Sequence, residues 1–145
     1  MCIILGVSVS VISCIIWLDA GVKDRIISYA EQKLGAIVNH LEKFQDVTQC
    51  QKYIEEQSQN DRLVLIVSGR LGREIVPSIH NLQQVMSIYV YCMNRTDNEQ
   101  WACKHEKVKA VVVQFDELIS RIATDHEIEG TESTRVRERA FREVF

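Results

Sequence analysis

Proline is almost missing from this chain: Pro77 stands alone among 145 residues. Glycine is sparse as well, with six. Disordered and loop-rich chains are usually rich in these residues, so the scarcity argues against that class. Cysteine occurs five times, as Cys2, Cys14, Cys50, Cys92 and Cys103, but never as a C-x-x-C pair. An odd, unpaired set argues against a disulfide framework and against a structural zinc site. Cys14 and Cys92 lie in apolar runs and are expected to be buried free thiols, in a reducing cytosolic compartment. Positive charge is not in excess either. The formal net charge is -3, so no global basic field draws the chain to nucleic acid or anionic lipid. The phosphate-binding patterns G-x-G-x-x-G and G-x-x-x-x-G-K-[ST] are absent, and so is the nucleophile pattern G-x-S-x-G. His40, His80, His105 and His126 fall in separate segments without metal-ligand spacing.

Charge is also absent from Met1 to Leu18; the first charged residue is Asp19. A run of that length is at the threshold for a membrane span. A signal peptide would carry Lys or Arg ahead of the apolar part, and none is there. The division favoured here makes residues 1–13 a leader or an extra edge strand. Cys14-Ile15-Ile16-Trp17-Leu18-Asp19 is then the first core strand. β-Branched runs that end in Asp suit the first strand of a parallel sheet.

What is present is a soluble, globular balance of 46% hydrophobic and 26% charged residues, enough for one core. A helix is predicted from about Asp24 to Gly35, with Asp24 as its cap and Ile26, Ile27, Ala30 and Leu34 on its apolar face. Residues 36–44 either prolong it or contain a short strand near His40 to Phe44. Asp46 or Thr48 caps a second helix with Val47, Cys50, Tyr53 and Ile54 on one side. Leu63 to Val67 reads as a buried strand, followed by a helix from about Leu71 to His80 that Pro77 should kink or restart. Val85 to Tyr91 is the next strand, Asn94 to Asn98 a polar turn, and Glu99 to His105 a short helix. Val108 to Val113 and Phe115 to Ala123 complete the alternation. This βα pattern predicts an α/β domain over residues 14–124. The architecture is a three-layer sandwich with a five-stranded parallel sheet, in the flavodoxin-like order 2-1-3-4-5. Residues 125–145, with Arg135, Arg137, Arg139 and Arg142 among glutamates, read as a charged tail or linker.

Ligands of such sheets collect where strands pass into helices. The candidate site is therefore Ser68, Gly69, Arg70, Gly72 and Arg73, together with Asp19 at the end of the first strand. Glycines let backbone amides approach an anion, a helix N-terminus favours negative charge, and the arginines add donors. A small anion or a nucleotide such as NAD or ADP-ribose is the ligand class this would suit. The competing expectation is a plain βα turn. Asp19 resembles the acidic residue that receiver domains keep on their first strand. Those domains also need an Asp and a Lys where this chain has Ser68 and Gln114. That pattern argues against magnesium-assisted phosphotransfer, since magnesium wants carboxylates. Glu74, after the Ser-Gly loop, faintly resembles the helix glutamate of NAD-cleaving Toll/interleukin-receptor domains, but at shorter spacing and without their Trp-Cys flank. An outward, salt-bridging glutamate is expected instead. Trp17, Trp101, Tyr89 and Tyr91 are expected in the core or half-buried on the sheet, and Lys104, Lys107 and Lys109 at a solvated edge.

One series of segments is similar to a known module. It runs through Ile16 to Asp19, Phe44 to Asp46 with Cys50 and Ile54, Leu65 to Gly69, Gly72 to His80, Ser87 to Cys92, Trp101, and Lys107 to Val111. It resembles the N-terminal α/β module of large animal proteins that also carry a mono-ADP-ribosyltransferase domain, tetratricopeptide repeats, or both. The resemblance covers about Ile15 to Ile122. It implies no catalytic residue here, because transferase chemistry belongs to a separate R-S-E domain that this chain lacks. The expectation is a non-enzymatic protein-interaction or regulatory module with protein partners, no nucleic acid, and membrane contact only if residues 1–18 form an anchor.

Overall fold

The computed structural model describes residues 12–20, 24–35, 38 and 40–126. Most of the expected leader (1–13) and of the expected tail (125–145) lies outside them. Within them the chain alternates strand and helix: β1 Cys14–Leu18, α1 Asp24–Gly35, β2 Leu41–Phe44, α2 Val47–Glu56, β3 Leu63–Val67, α3 Gly69–Ile79, β4 Val85–Tyr91, α4 Arg95–Ala102, β5 Val108–Val112 and α5 Phe115–Asp125. The strands form one parallel sheet in the order β2-β1-β3-β4-β5. That is the flavodoxin-like sandwich expected.

Burial on both faces explains why β1 and β3 are continuous apolar runs. Alternate side chains enter opposite layers. Ile16, Leu18, Leu65 and Val67 pack with Cys50 and Ile54 of α2 and Ile75, Val76 and Ile79 of α3. Ile15, Trp17, Val64 and Ile66 pack with Leu34 of α1 and Phe115, Leu118 and Ile122 of α5. Residues 36–44 resolve in favour of the strand: Leu41–Phe44 pairs with β1 from Ile15↔Leu41 to Leu18↔Phe44.

The ladder slips one residue at the N-terminal end of β4 and again at that of β5. Leu63 pairs with Val85 but Val64 with Ser87, so Met86 is the extra residue. Ile88 pairs with Val108 but Tyr89 with Ala110, so Lys109 is extra. Each bulge lets residues three apart, Val85 with Ile88 and Val108 with Val111, face the same layer.

Several boundaries differ from the sequence expectation. Helix α3 begins at Gly69, not Leu71, because Ser68 is its N-cap and the Ser68 hydroxyl accepts from the Leu71 amide at 3.4 Å. It runs through Pro77 without a restart. Proline removes one amide donor there, but Pro77 is exposed and the next bond, from the His80 amide to the Val76 carbonyl, is intact at 2.9 Å. Residues 94–98 are not a turn preceding a helix. Asn94 caps α4 by accepting from the Asp97 amide at 3.0 Å, and the helix ends at Ala102 instead of reaching His105. Asp46 caps α2 through the Gln49 amide. Asp24 is the first residue of α1, not a cap preceding it. Among the described residues no helix is long and apolar enough to cross a membrane.

Candidate functional site

In this strand order the chain leaves β1 toward β2 on one side, while β3 flanks it on the other. The crevice between the carboxyl ends of β1 and β3 is the switch point of the sheet. Asp19 and Ser68 stand on either side of it. Asp19 donates its amide to the Phe44 carbonyl at 3.0 Å, and Ser68 donates its own to the Leu18 carbonyl at 3.2 Å. Asp19 is half-buried. With Asp116 it faces the Tyr91 phenol, whose pKa is pushed up by burial first and then by these two carboxylates.

The rest of the expected anion turn is engaged by α4. The Ser68 hydroxyl is taken up by the helix cap. A β-carbon on Gly69 would collide with the side-chain amide of Asn98. One on Gly72 would stand 2.7 Å from Cη2 of Trp101 and 3.2 Å from Cγ1 of Val67. Arg73 reaches across the same seam and donates to the Asp97 carbonyl at 3.1 Å. Asn98 is held there in turn: it donates to the Asn94 carbonyl at 2.7 Å and accepts from the Trp101 indole at 2.9 Å. The glycines thus serve close packing of α3 on α4. Arg70 and Glu74 are exposed, and neither enters an ion pair among the described residues. The structure therefore gathers Gly69, Gly72 and Arg73 into one seam. It leaves Asp19 and Ser68 at the crevice and Arg70 on the surface.

Three other clusters carry polar chemistry. Trp17, Tyr29 and Tyr91 surround Phe115, with ring centroids 5.9, 5.6 and 5.8 Å from it. The Tyr29 hydroxyl donates to Asp116 at 2.8 Å. Trp17 is 2% exposed, and its indole N–H is buried without an acceptor.

At the opposite end of the sheet, Ser87 and His126 are both buried and lie 2.8 Å apart, Oγ to Nε2. The neighbouring Asp125 accepts from the Tyr89 hydroxyl at 2.7 Å and from Arg121 at 3.1 Å, so its carboxylate is engaged elsewhere. Burial holds the His126 pKa below its ordinary value. Asp125 opposes that shift and Lys109 adds to it. The pair is enclosed and the neighbouring carboxylate is committed to Tyr89 and Arg121, so the acid that would orient the imidazole in a nucleophilic triad is engaged elsewhere.

On the other face, the His80 and His105 rings stand 4.8 Å apart, and Nδ1 of His105 is buried without a partner. Burial, then His80 and Lys104, lowers the His105 pKa. Among the described residues no three His, Cys, Asp or Glu side chains are placed to hold a metal ion.

No protein-family model matches the chain. No curated protein matches it either.

The seam partners Asn94, Asp97, Asn98 and Trp101 were not expected at the site. Asn94 had a local signal, since asparagine followed three residues later by an acid is a cap pattern. Asn98 and Trp101 had none, because their role rests on contact with α3, which no local pattern reveals. Lys107 also departs from expectation. It is half-buried, donates to the Leu82 carbonyl at 2.7 Å, and has its pKa lowered by burial and by Lys109. Cys14 and Cys50 are buried free thiols, pushed up by burial to about 11 and about 12. Cys92, expected to be buried, is half-buried because it follows the end of β4, and Cys103 is exposed.

Proposed function

We propose that this domain is a non-enzymatic protein-interaction or regulatory module. The observation that carries the proposal is the fate of the turn after β3. Its serine, both glycines and one arginine make contacts inside the fold, where a phosphate-binding turn would direct them outward. The resemblance of Ile15 to Ile122 to the N-terminal module of mono-ADP-ribosyltransferase and tetratricopeptide-repeat proteins supports the same assignment. In that setting the partner is a protein, the compartment is cytoplasmic, and any ADP-ribosyl transfer belongs to another domain.

The competing proposal is small-anion or nucleotide binding, NAD or ADP-ribose included, at the Asp19–Ser68 crevice. It is favoured by the exposed Arg70 guanidinium in the first turn of α3. Calorimetry against NAD, ADP-ribose and nucleoside phosphates at millimolar ligand separates the two. The module predicts no heat of binding. Saturable heat that Arg70→Ala abolishes would establish the nucleotide site instead. Affinity capture provides the complementary measurement. Reversal of the exposed α2 charges Glu55 and Glu56 to Lys should alter the partners retained, and Ser68→Ala should not.

A further inference from the structure

We propose that the base of the β4–β5 pair is an acid-released edge of the sheet. It is held closed at neutral pH by two uncharged histidines, His105 in the α4 layer and His126 in the α5 layer.

The backbone ladder is irregular at this place. Both ladder irregularities, at Met86 and at Lys109, fall at the N-terminal ends of these two strands. Side chains take over where regular pairing is interrupted. Lys107 donates to the Leu82 carbonyl at 2.7 Å, ahead of β4. Arg121 donates to the carbonyl of the bulged Lys109 at 2.9 Å. Ser87, next to the other bulge, meets His126 at 2.8 Å.

The groups facing each histidine make its protonation costly. His126 faces Ser87 from β4, Lys109 from β5 and Asp125 from α5, and Asp125 in turn holds Tyr89 and Arg121. Asp125 is the acid in that set, and it already accepts from both Arg121 and Tyr89. Around His105 are His80 from the end of α3 and Trp101 of α4, with Lys104 in its own turn. Lys107 lies beyond, beside Lys109. A proton added at the buried Nδ1 of His105 meets no acceptor. As pH falls through the histidine range, two positive charges enter a region that already holds Lys104, Lys107 and Lys109, while Arg121 and Asp125 neutralise each other. Desolvation, the largest effect at both rings, and repulsion from the lysines then outweigh the pull of the Asp125 carboxylate on His126 and separate β5 and the end of α5 from β4. The edge of β4 that this uncovers is an unpaired strand able to accept another.

The experiment is histidine-resolved NMR titration of the intact chain, joined to native-state hydrogen exchange at about pH 7.5 and about pH 5.5, either side of the ordinary histidine value of about 6.5. The expected result is that His105 and His126 titrate below that value. At the lower pH, amides of β5 and of the α5 C-terminal turn lose protection relative to β1 and β3 in the same sample. His105→Gln/His126→Gln should remove the selective loss. Titration of either imidazole at or above its ordinary value would overturn the proposal. So would loss of protection spread evenly over all strands, or none at all. The wild-type titration and exchange decide the matter even if the double variant does not fold.

Discussion

Gly72 separates two explanations of the turn after β3, because they predict opposite signs for one methyl group. In an unpacked helix Gly→Ala stabilises by about 1 kcal/mol through helix propensity. Here the new carbon would meet the Trp101 ring at 2.7 Å, and Trp101 is tied to Asn98 through its indole. Gly72→Ala should therefore destabilise by about 1–3 kcal/mol in urea denaturation, the range for overpacking. Gly69→Ala should do the same against Asn98, whose amide is fixed by Asn94 and Trp101. Gly35 is the control: a β-carbon there meets nothing within 4 Å, and Gly35→Ala should gain about 0.4–1 kcal/mol. If Gly72→Ala were as stabilising as Gly35→Ala, the seam would not be close-packed. Ser68→Ala should cost about 0.5–1 kcal/mol, at the low end for a cap because its hydrogen bond is long at 3.4 Å.

Among the elements, α3 is the one whose sequence most opposes its structure. Pro77 lies inside an unbroken helix, where it removes the amide that would bond to the Arg73 carbonyl. The helix persists because Leu71, Ile75, Val76 and Ile79 bury one face against β1, β3 and β4. That burial exceeds the local penalty. Pro77→Ala should raise thermal stability by about 1–3 kcal/mol, the restored hydrogen bond being partly offset by a freer unfolded chain. A melting temperature that falls would mean that proline geometry is itself needed for the packing of α3. The misplaced start of α4 has the opposite origin. Residues 94–98 are polar and lack an apolar period, but the Asn94 cap and the Asn98–Trp101 contact on α3 are enough to wind them. Composition suggested a turn, and a tertiary contact overrode it.

At the scale of the molecule, stability should fall at both extremes of pH. His105 and His126 have depressed pKa values, so at acidic pH the unfolded chain binds more protons than the folded one. Their contribution is full above the ordinary value of about 6.5 and is lost as pH drops through the folded values. The buried Cys50 and the half-buried Tyr53 behave inversely. Both are pushed up to about 12, from 9.0 and 10.0, chiefly by burial. Their contribution is intact below about pH 9 and fades as pH rises toward 12. Urea midpoints between about pH 5 and about pH 11 should trace a plateau with a shoulder on each side. Cys50→Ala should trim the alkaline one.

The alternation of apolar runs and amphipathic stretches was by itself sufficient for the layers of this protein. Leu63–Val67 and Val85–Tyr91 are buried strands whichever neighbours they have. Right-handed crossovers then limit the orders open to them, and the flavodoxin-like one among these is the order observed. Asp19 and Ser68 were legible at the switch point for the same reason, since strand ends follow from strand positions. The use made of the turn was not legible. A glycine that serves an anion and a glycine that admits an indole look alike in a sequence, and only the approach of α4 distinguishes them. Nor was the Ser87–His126 contact legible, which joins residues 39 positions apart at the base of the sheet. Periodicity is a local property of the chain, whereas charge burial and close packing depend on which distant segments meet. The sequence therefore determined the sandwich, and only the tertiary structure decided that its central turn is a seam and that Ser87 and His126 meet beneath the sheet.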